Sequence, residues 1–167
     1  MSSNEITLTV IGLGSPLMGD DGVGLEVAHR LKHEELPGSV EVLSAGTPGI
    51  DLIDMITNRE RVIIVDAVKI NEMNPSYGRA VDESSKDFVF IEPESIRKKE
   101  IDASVHEMGL DTTLILMRTL KMDLSNVTII GIPIRSAEQV RGLSKEAEKK
   151  ANKVTEHILT LIKEMRK

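Results

Sequence analysis

The side chains in this sequence whose types and spacing could do chemistry are Asp20 and Asp21 in "GLGSPLMGDDGVG", Asp66 closing the apolar run "VIIV", and His106 in "SVHEMGL". Mixed carboxylate and imidazole donors suit nickel, zinc, manganese or cadmium and do not choose among them. The same groups can also move protons as general acids and bases. Asp66 is the least ordinary of the set. A carboxylate that close to a buried strand must find a partner or a metal, or else raise its pKa.

Each candidate has a plainer reading. Asp20 and Asp21 precede a helix pattern, where aspartate is a common N-cap. Asp66 could be held by local backbone donors. Ser104 and Glu107 have the spacing of a capping box, which predicts His106 in the first turn of the following helix. The helix dipole there disfavours imidazolium and leaves a neutral ring suited to a metal. His29 and His33 are four apart but lie among charged residues on the wet face of a helix pattern, and His157 falls on the last helix, far from any strand end.

Several familiar chemistries are weakened or excluded. Gly12 and Gly14 after an apolar strand suggest a dinucleotide loop, but its third glycine is replaced by Leu17 and the second strand ends in Ser44 rather than an acid. Two carboxylates at the helix entrance would also repel a pyrophosphate. "HEMGL" has Leu110 where a zinc peptidase needs its second histidine, and Ser44 lacks the leading glycine of a nucleophile elbow. With no cysteine there is no disulfide, thiolate metal site or thiol nucleophile.

The elements that must position these residues alternate between apolar runs and helical patterns, which predicts an α/β fold with a largely parallel sheet. The runs at 6–13, 40–44, 61–68 and 126–134 read as strands, and a helix over 22–35 places Val23, Val27, Ala28 and Leu31 on one face. A short helix after "AGTPG" carries Ile50, Ile53 and Ile56. Another carries Leu110, Leu114, Met117 and Leu120. A long one from Ser144 carries Ala147, Ala151, Val154, Ile158, Leu161, Ile162 and Met165. The polar stretch 71–100 reads as holding a strand pair near Gly78–Val81 and Phe88–Ile91.

Composition bounds the partners. The 167 residues read as one domain, 1–167, with an aliphatic core, since there is no Trp, one Tyr and two Phe. A net charge of −6 without a basic run argues against nucleic acid or an anionic membrane. No signal peptide precedes the first strand and no apolar run approaches the roughly 20 residues of a membrane span. The expected location is cytoplasmic, and the oligomeric state is left open.

"GLGSPLMGDDGVG", "VIIVDAV" and "SVHEMGL", in that order and with these gaps, resemble the nickel-iron hydrogenase maturation endopeptidases. The likeness runs to "GIPIRSAEQVRGLS", and "GTPG" at 46–49 matches the family's glycine-threonine loop. The resemblance implies a three-layer α/β fold: a twisted, mostly parallel five-stranded sheet flanked by helices on both faces. It implies an aspartic-type endopeptidase that trims a C-terminal extension from a hydrogenase large-subunit precursor after nickel insertion. The family's metal-contacting positions fall on Asp21, Asp66 and His106, with Asp21 and Asp66 as catalytic carboxylates. Gly46, Thr47 and Gly49 become the substrate-binding loop, and Asp20 is left to cap or shape its own loop. The metal so implied is nickel carried by the substrate, for which zinc or cadmium can substitute. Ser15 stands where many members have asparagine. A nickel-sensing chaperone that binds the precursor without cutting it, a general metal-dependent peptidase with its own metal, and a nucleotide-binding domain are the competing readings.

Overall fold

The computed structural model describes residues 5–69, 87–96, 109–135 and 137–165. Its strands are β1 (Leu8–Leu13), β2 (Val40–Gly46), β3 (Val62–Lys69), β4 (Val89–Ile91) and β5 (Val127–Ile134). The helices are α1 (Val23–Lys32), α2 (Leu52–Ile56), α3 (Leu110–Thr119) and α4 (Lys145–Glu164). The sheet has five strands in the order β2-β1-β3-β5-β4, parallel except for β4, which runs antiparallel to β5 along one edge.

The alternation of side chains along each strand divides the core in two. Val10, Val65 and Ile132 face α1 and α4, meeting Val23, Val27, Leu31, Ala151, Val154 and Ile158. Ile11, Ile64 and Ile129 face the other way and meet Leu52, Ile56, Leu114 and Met117 of α2 and α3. Because β1, β3 and β5 are covered on both faces, they read in sequence as continuous apolar runs rather than as alternating ones. The expected three-layer architecture is the one observed.

The helix patterns hold with local corrections. In the segment after "AGTPG" the buried pair is Leu52 and Ile56, one turn apart, whereas Ile50 sits in a preceding 3-10 turn, Gly49–Asp51, and is 57% exposed. Leu120 and Met165 lie just past the ends of α3 and α4 and are exposed, because the core-facing stripe stops where the helix does. α3 begins at Leu110 with Gly109 at its N-cap position, so its first turn does not include the Ser104–Glu107 spacing. Those four residues, His106 among them, lie outside the described residues, as does the expected strand at Gly78–Val81. Phe88–Ile91 does supply β4, paired with β5.

His157 is not remote from the strands. Its ring packs on Phe88 and Phe90, with centroids 5.1 and 5.5 Å away, at the β4 edge. Its Nε2 is buried there without a hydrogen-bond partner among the described residues. Among those residues no helix is long and apolar enough to cross a membrane.

Candidate functional site

The chain leaves β1 for α1 and then β2 on one side, and returns to lay β3 on the other side of β1. The carboxyl ends of β1 and β3 are therefore the point where strand order reverses, which is where open α/β sheets place their ligands. Pairing between β1 and β3 ends at Gly12 opposite Val65. Asp66 is the next residue, still paired on its far side with Gly131 of β5, so its side chain stands where the sheet begins to open. By alternation it points to the α2 and α3 face, opposite to Val65.

Glycines bring the β1–α1 connection against this opening. A Cβ on Gly24 would lie 2.3 Å from the Val65 carbonyl oxygen and 2.4 Å from that of Leu13, so only glycine lets the first turn of α1 sit on the ends of β3 and β1. Gly14 has φ +127, and a Cβ there would lie 1.9 Å from the Asp21 carbonyl oxygen. The loop thus folds back on itself and delivers Asp21 beside Asp66.

Neither aspartate of the pair at 20 and 21 caps α1, whose N-cap position is Gly22 and carries no side-chain hydrogen bond. Both lie in a 3-10 turn, Gly19–Gly22. Asp21 Oδ2 accepts a hydrogen bond from the Ser15 N–H at 2.8 Å. Asp20 turns to α4, its Oδ1 accepting from the Ser144 N–H at 2.6 Å and its Oδ2 from the Ser144 hydroxyl at 2.8 Å. Ser144 Oγ in turn accepts from the Ala147 N–H and caps α4. Sequence reasoning assigned Asp20 to loop shaping, and the contact that does it, 124 residues away, had no local signal.

Asp21 and Asp66 line one cleft of about 170 Å³, together with Leu13, Gly14, Gly46, Thr47, Pro48, Gly49, Leu52, Gly109 and Leu110. The "GTPG" loop is held to both sides of it. The Gly14 N–H donates to the Gly46 carbonyl at 2.9 Å, and the Thr113 hydroxyl donates to the Gly49 carbonyl at 3.2 Å. Gly46, Thr47 and Gly49 are therefore wall residues of the cleft. Gly109, three positions after His106 in sequence, is also in the wall. A larger cavity, of about 680 Å³, lies at the amino ends of the strands around Leu8, Val62 and Met165, away from the carboxylates.

Asp66 is electrostatically unusual. Burial pushes its carboxyl up from 3.8 to about 7, the facing Asp21 carboxylate adds to the shift, the Ala67 N–H opposes it, and Asp111 adds a smaller push. Its Oδ1 accepts a hydrogen bond from that adjacent Ala67 N–H, at 2.9 Å. Asp111, in the first turn of α3, was not singled out from the sequence. A helix-opening acid after Gly109 was the available sign. Two carboxylates that repel each other in a partly desolvated cleft can share a proton, or can be relieved by a cation. Among the described residues, no group of three or more His, Cys, Asp or Glu side chains is placed to hold a metal by itself. The His29 and His33 rings touch, 4.4 Å apart, on the exposed side of α1 and far along it from the cleft.

Comparison with known proteins gives one consistent result. A family model described as hydrogenase maturation protease matches residues 25–161. The hydrogenase 2 maturation protease of Escherichia coli K12 is 25% identical over 158 residues, covering 94% of this chain and 91% of its own. The solved structure of the E. coli hydrogenase maturating endopeptidase HybD superposes with a TM-score of 0.71 at 25% identity, over 95% of this chain and 93% of that one. A hydrogenase 2 maturation peptidase from a Thaumarchaeota archaeon gives a TM-score of 0.62 at 28% identity, over 93% and 97%.

Proposed function

The chain belongs to the hydrogenase maturation protease family, and from that premise we propose that it removes the C-terminal extension of a nickel-iron hydrogenase large-subunit precursor once nickel is in place, reading that nickel through Asp21, Asp66 and His106. Peptidase activity in hydrogenase maturation follows from the family and its relatives. The nickel gate, the residues that serve it and the precursor as substrate are our reading.

The observation that carries it is the pairing of Asp21 and Asp66 in one small cleft, with Asp66 raised to about 7 by burial and by its neighbour. A cation brought in by the precursor relieves the repulsion between these carboxylates and displaces the proton from Asp66. An empty precursor makes no such contact. The difference in affinity between loaded and empty precursor is the gate, and it positions the scissile bond only when maturation has reached that stage. His106 completes the donor set on the basis of the family resemblance, from a sequence position close to the cleft residue Gly109.

Hydrolysis adds water across one peptide bond. The water oxygen bonds to the scissile carbonyl carbon, the carbon–nitrogen bond breaks, and a proton reaches the departing amine. A carboxylate oxygen of this pair that the nickel does not engage can take a proton from the attacking water and return it to that amine, the role of general base that we assign to the pair. The substrate's nickel then serves as docking point.

The test is the intact mass of a large-subunit precursor incubated with this protein, once nickel-loaded and once nickel-free. Loss of a C-terminal peptide from the loaded form alone is expected. Cleavage of both forms would remove the gate. Binding without any mass change would favour a chaperone.

A further inference from the structure

A cleft of about 170 Å³ is smaller than the few hundred cubic ångströms that enclose an ordinary small ligand. Stable recognition of a protein needs on the order of 800 Å² on each partner, so most of the contact area must lie on the surface around the cleft.

Large apolar side chains are exposed beside the cleft. The large hydrophobic side chains exposed among the described residues are Leu17, Ile50, Leu120, Val140 and Met165. Leu17, at 59% exposure, projects from the loop that carries Gly14 and Asp21. Ile50, at 57%, follows Gly49 of the opposing "GTPG" wall. Val140 lies beside the same turn, its carbonyl accepting from the Gly19 N–H at 2.8 Å. Leu120 and Met165 are at the far end, beyond the carboxyl termini of α3 and α4. Turns are usually built from Gly, Pro, Asn, Asp and Ser, and neither Leu17 nor Ile50 contributes to either core cluster.

We infer that Leu17 and Ile50 are specificity-determining residues that grip aliphatic side chains of the precursor on either side of the scissile bond. This rests on the protease reading above. The occupant follows from continuity with the cleft: Ile50 directly follows the wall residue Gly49, and Leu17 lies in the loop between the wall residues Gly14 and Asp21. Their contribution adds to binding of loaded and empty precursor alike, whereas the nickel contact discriminates between them.

The experiment is steady-state cleavage of nickel-loaded precursor, with precursor binding measured in parallel, for the wild type and for Leu17→Asp, Ile50→Asp and Leu120→Asp. Leu120 matches Leu17 at 59% exposure but lies away from the cleft, so it controls for adding surface charge. Leu17→Asp and Ile50→Asp should each raise KM about tenfold, with a smaller change in kcat, and weaken binding in parallel. Leu120→Asp should match the wild type. Wild-type cleavage with unaltered KM in both rim variants, or an equal rise in Leu120→Asp, overturns the docking surface and leaves the protease reading intact. A wild type that neither cuts nor binds the precursor overturns both.

Discussion

Asp20 and Asp21 are adjacent in the chain yet serve different parts of the molecule: Asp20 holds Ser144 at the start of α4, while Asp21 accepts from the Ser15 N–H and lines the cleft with Asp66. The 3-10 turn that contains both makes this possible by sending successive side chains in divergent directions. The turn is thus anchored from outside by one carboxylate while the other is presented inward.

Substitutions at the two positions should therefore separate. Asp20→Ala removes two hydrogen bonds to Ser144 and should lower stability by roughly 1–2 kcal/mol, seen as a fall of a few degrees in the thermal midpoint, with cleavage reduced but present. Asp21→Asn keeps an acceptor for the Ser15 N–H and should hold the midpoint near wild type while abolishing cleavage. Equal losses of activity in the two variants would sink this division of labour.

Asp66 should leave a pH signature in stability. Its folded pKa, about 7, exceeds the unfolded 3.8, so the folded state binds this proton more tightly. The group's contribution is fully present below the unfolded value and is lost as pH rises through about 7, a span worth a few kcal/mol. Asp66→Asn is neutral at every pH and removes the term. Thermal midpoints between about pH 5 and pH 8 should show the wild type losing ground to Asp66→Asn as pH rises. A constant difference would mean that Asp66 titrates like an exposed aspartate. Asp66→Asn should also abolish precursor cleavage.

Gly14→Ala should damage activity beyond its effect on folding. The alanine Cβ must avoid a carbonyl oxygen 1.9 Å away in a backbone conformation that disfavours side chains, at a cost of roughly 1–3 kcal/mol. The strained atom belongs to Asp21, so relaxation displaces that carboxylate from the cleft. Circular dichroism should report a retained α/β fold while the mass assay reports little or no product. Normal processing would show that the loop tolerates the shift without moving Asp21.

Chelation distinguishes who brings the metal. Treating the protease with EDTA, removing the chelator, and then adding nickel-loaded precursor should leave cleavage unchanged. Loss of activity restored by adding metal back to the protease would instead identify a resident ion and a general metallopeptidase.

Much of this protein was legible before any coordinates. The apolar runs ending at Leu13, Asp66 and Ile134 and the helical stripe from Ala147 to Ile162 define the layers, because burial on two faces or one leaves a periodic trace in residue type. The ordered motifs around Asp21, Asp66 and His106 pointed to the family by resemblance. Ile50, Leu120, Met165 and His157 were misread, since periodicity records apolar spacing but not where a helix begins or ends or which neighbour arrives. What only the tertiary structure decided are the long-range relationships: Asp20 with Ser144, Thr113 with Gly49, and Asp66 emerging where β1–β3 pairing stops. The raised pKa of Asp66 belongs there too. Desolvation and repulsion depend on distances through space, which sequence separation does not encode.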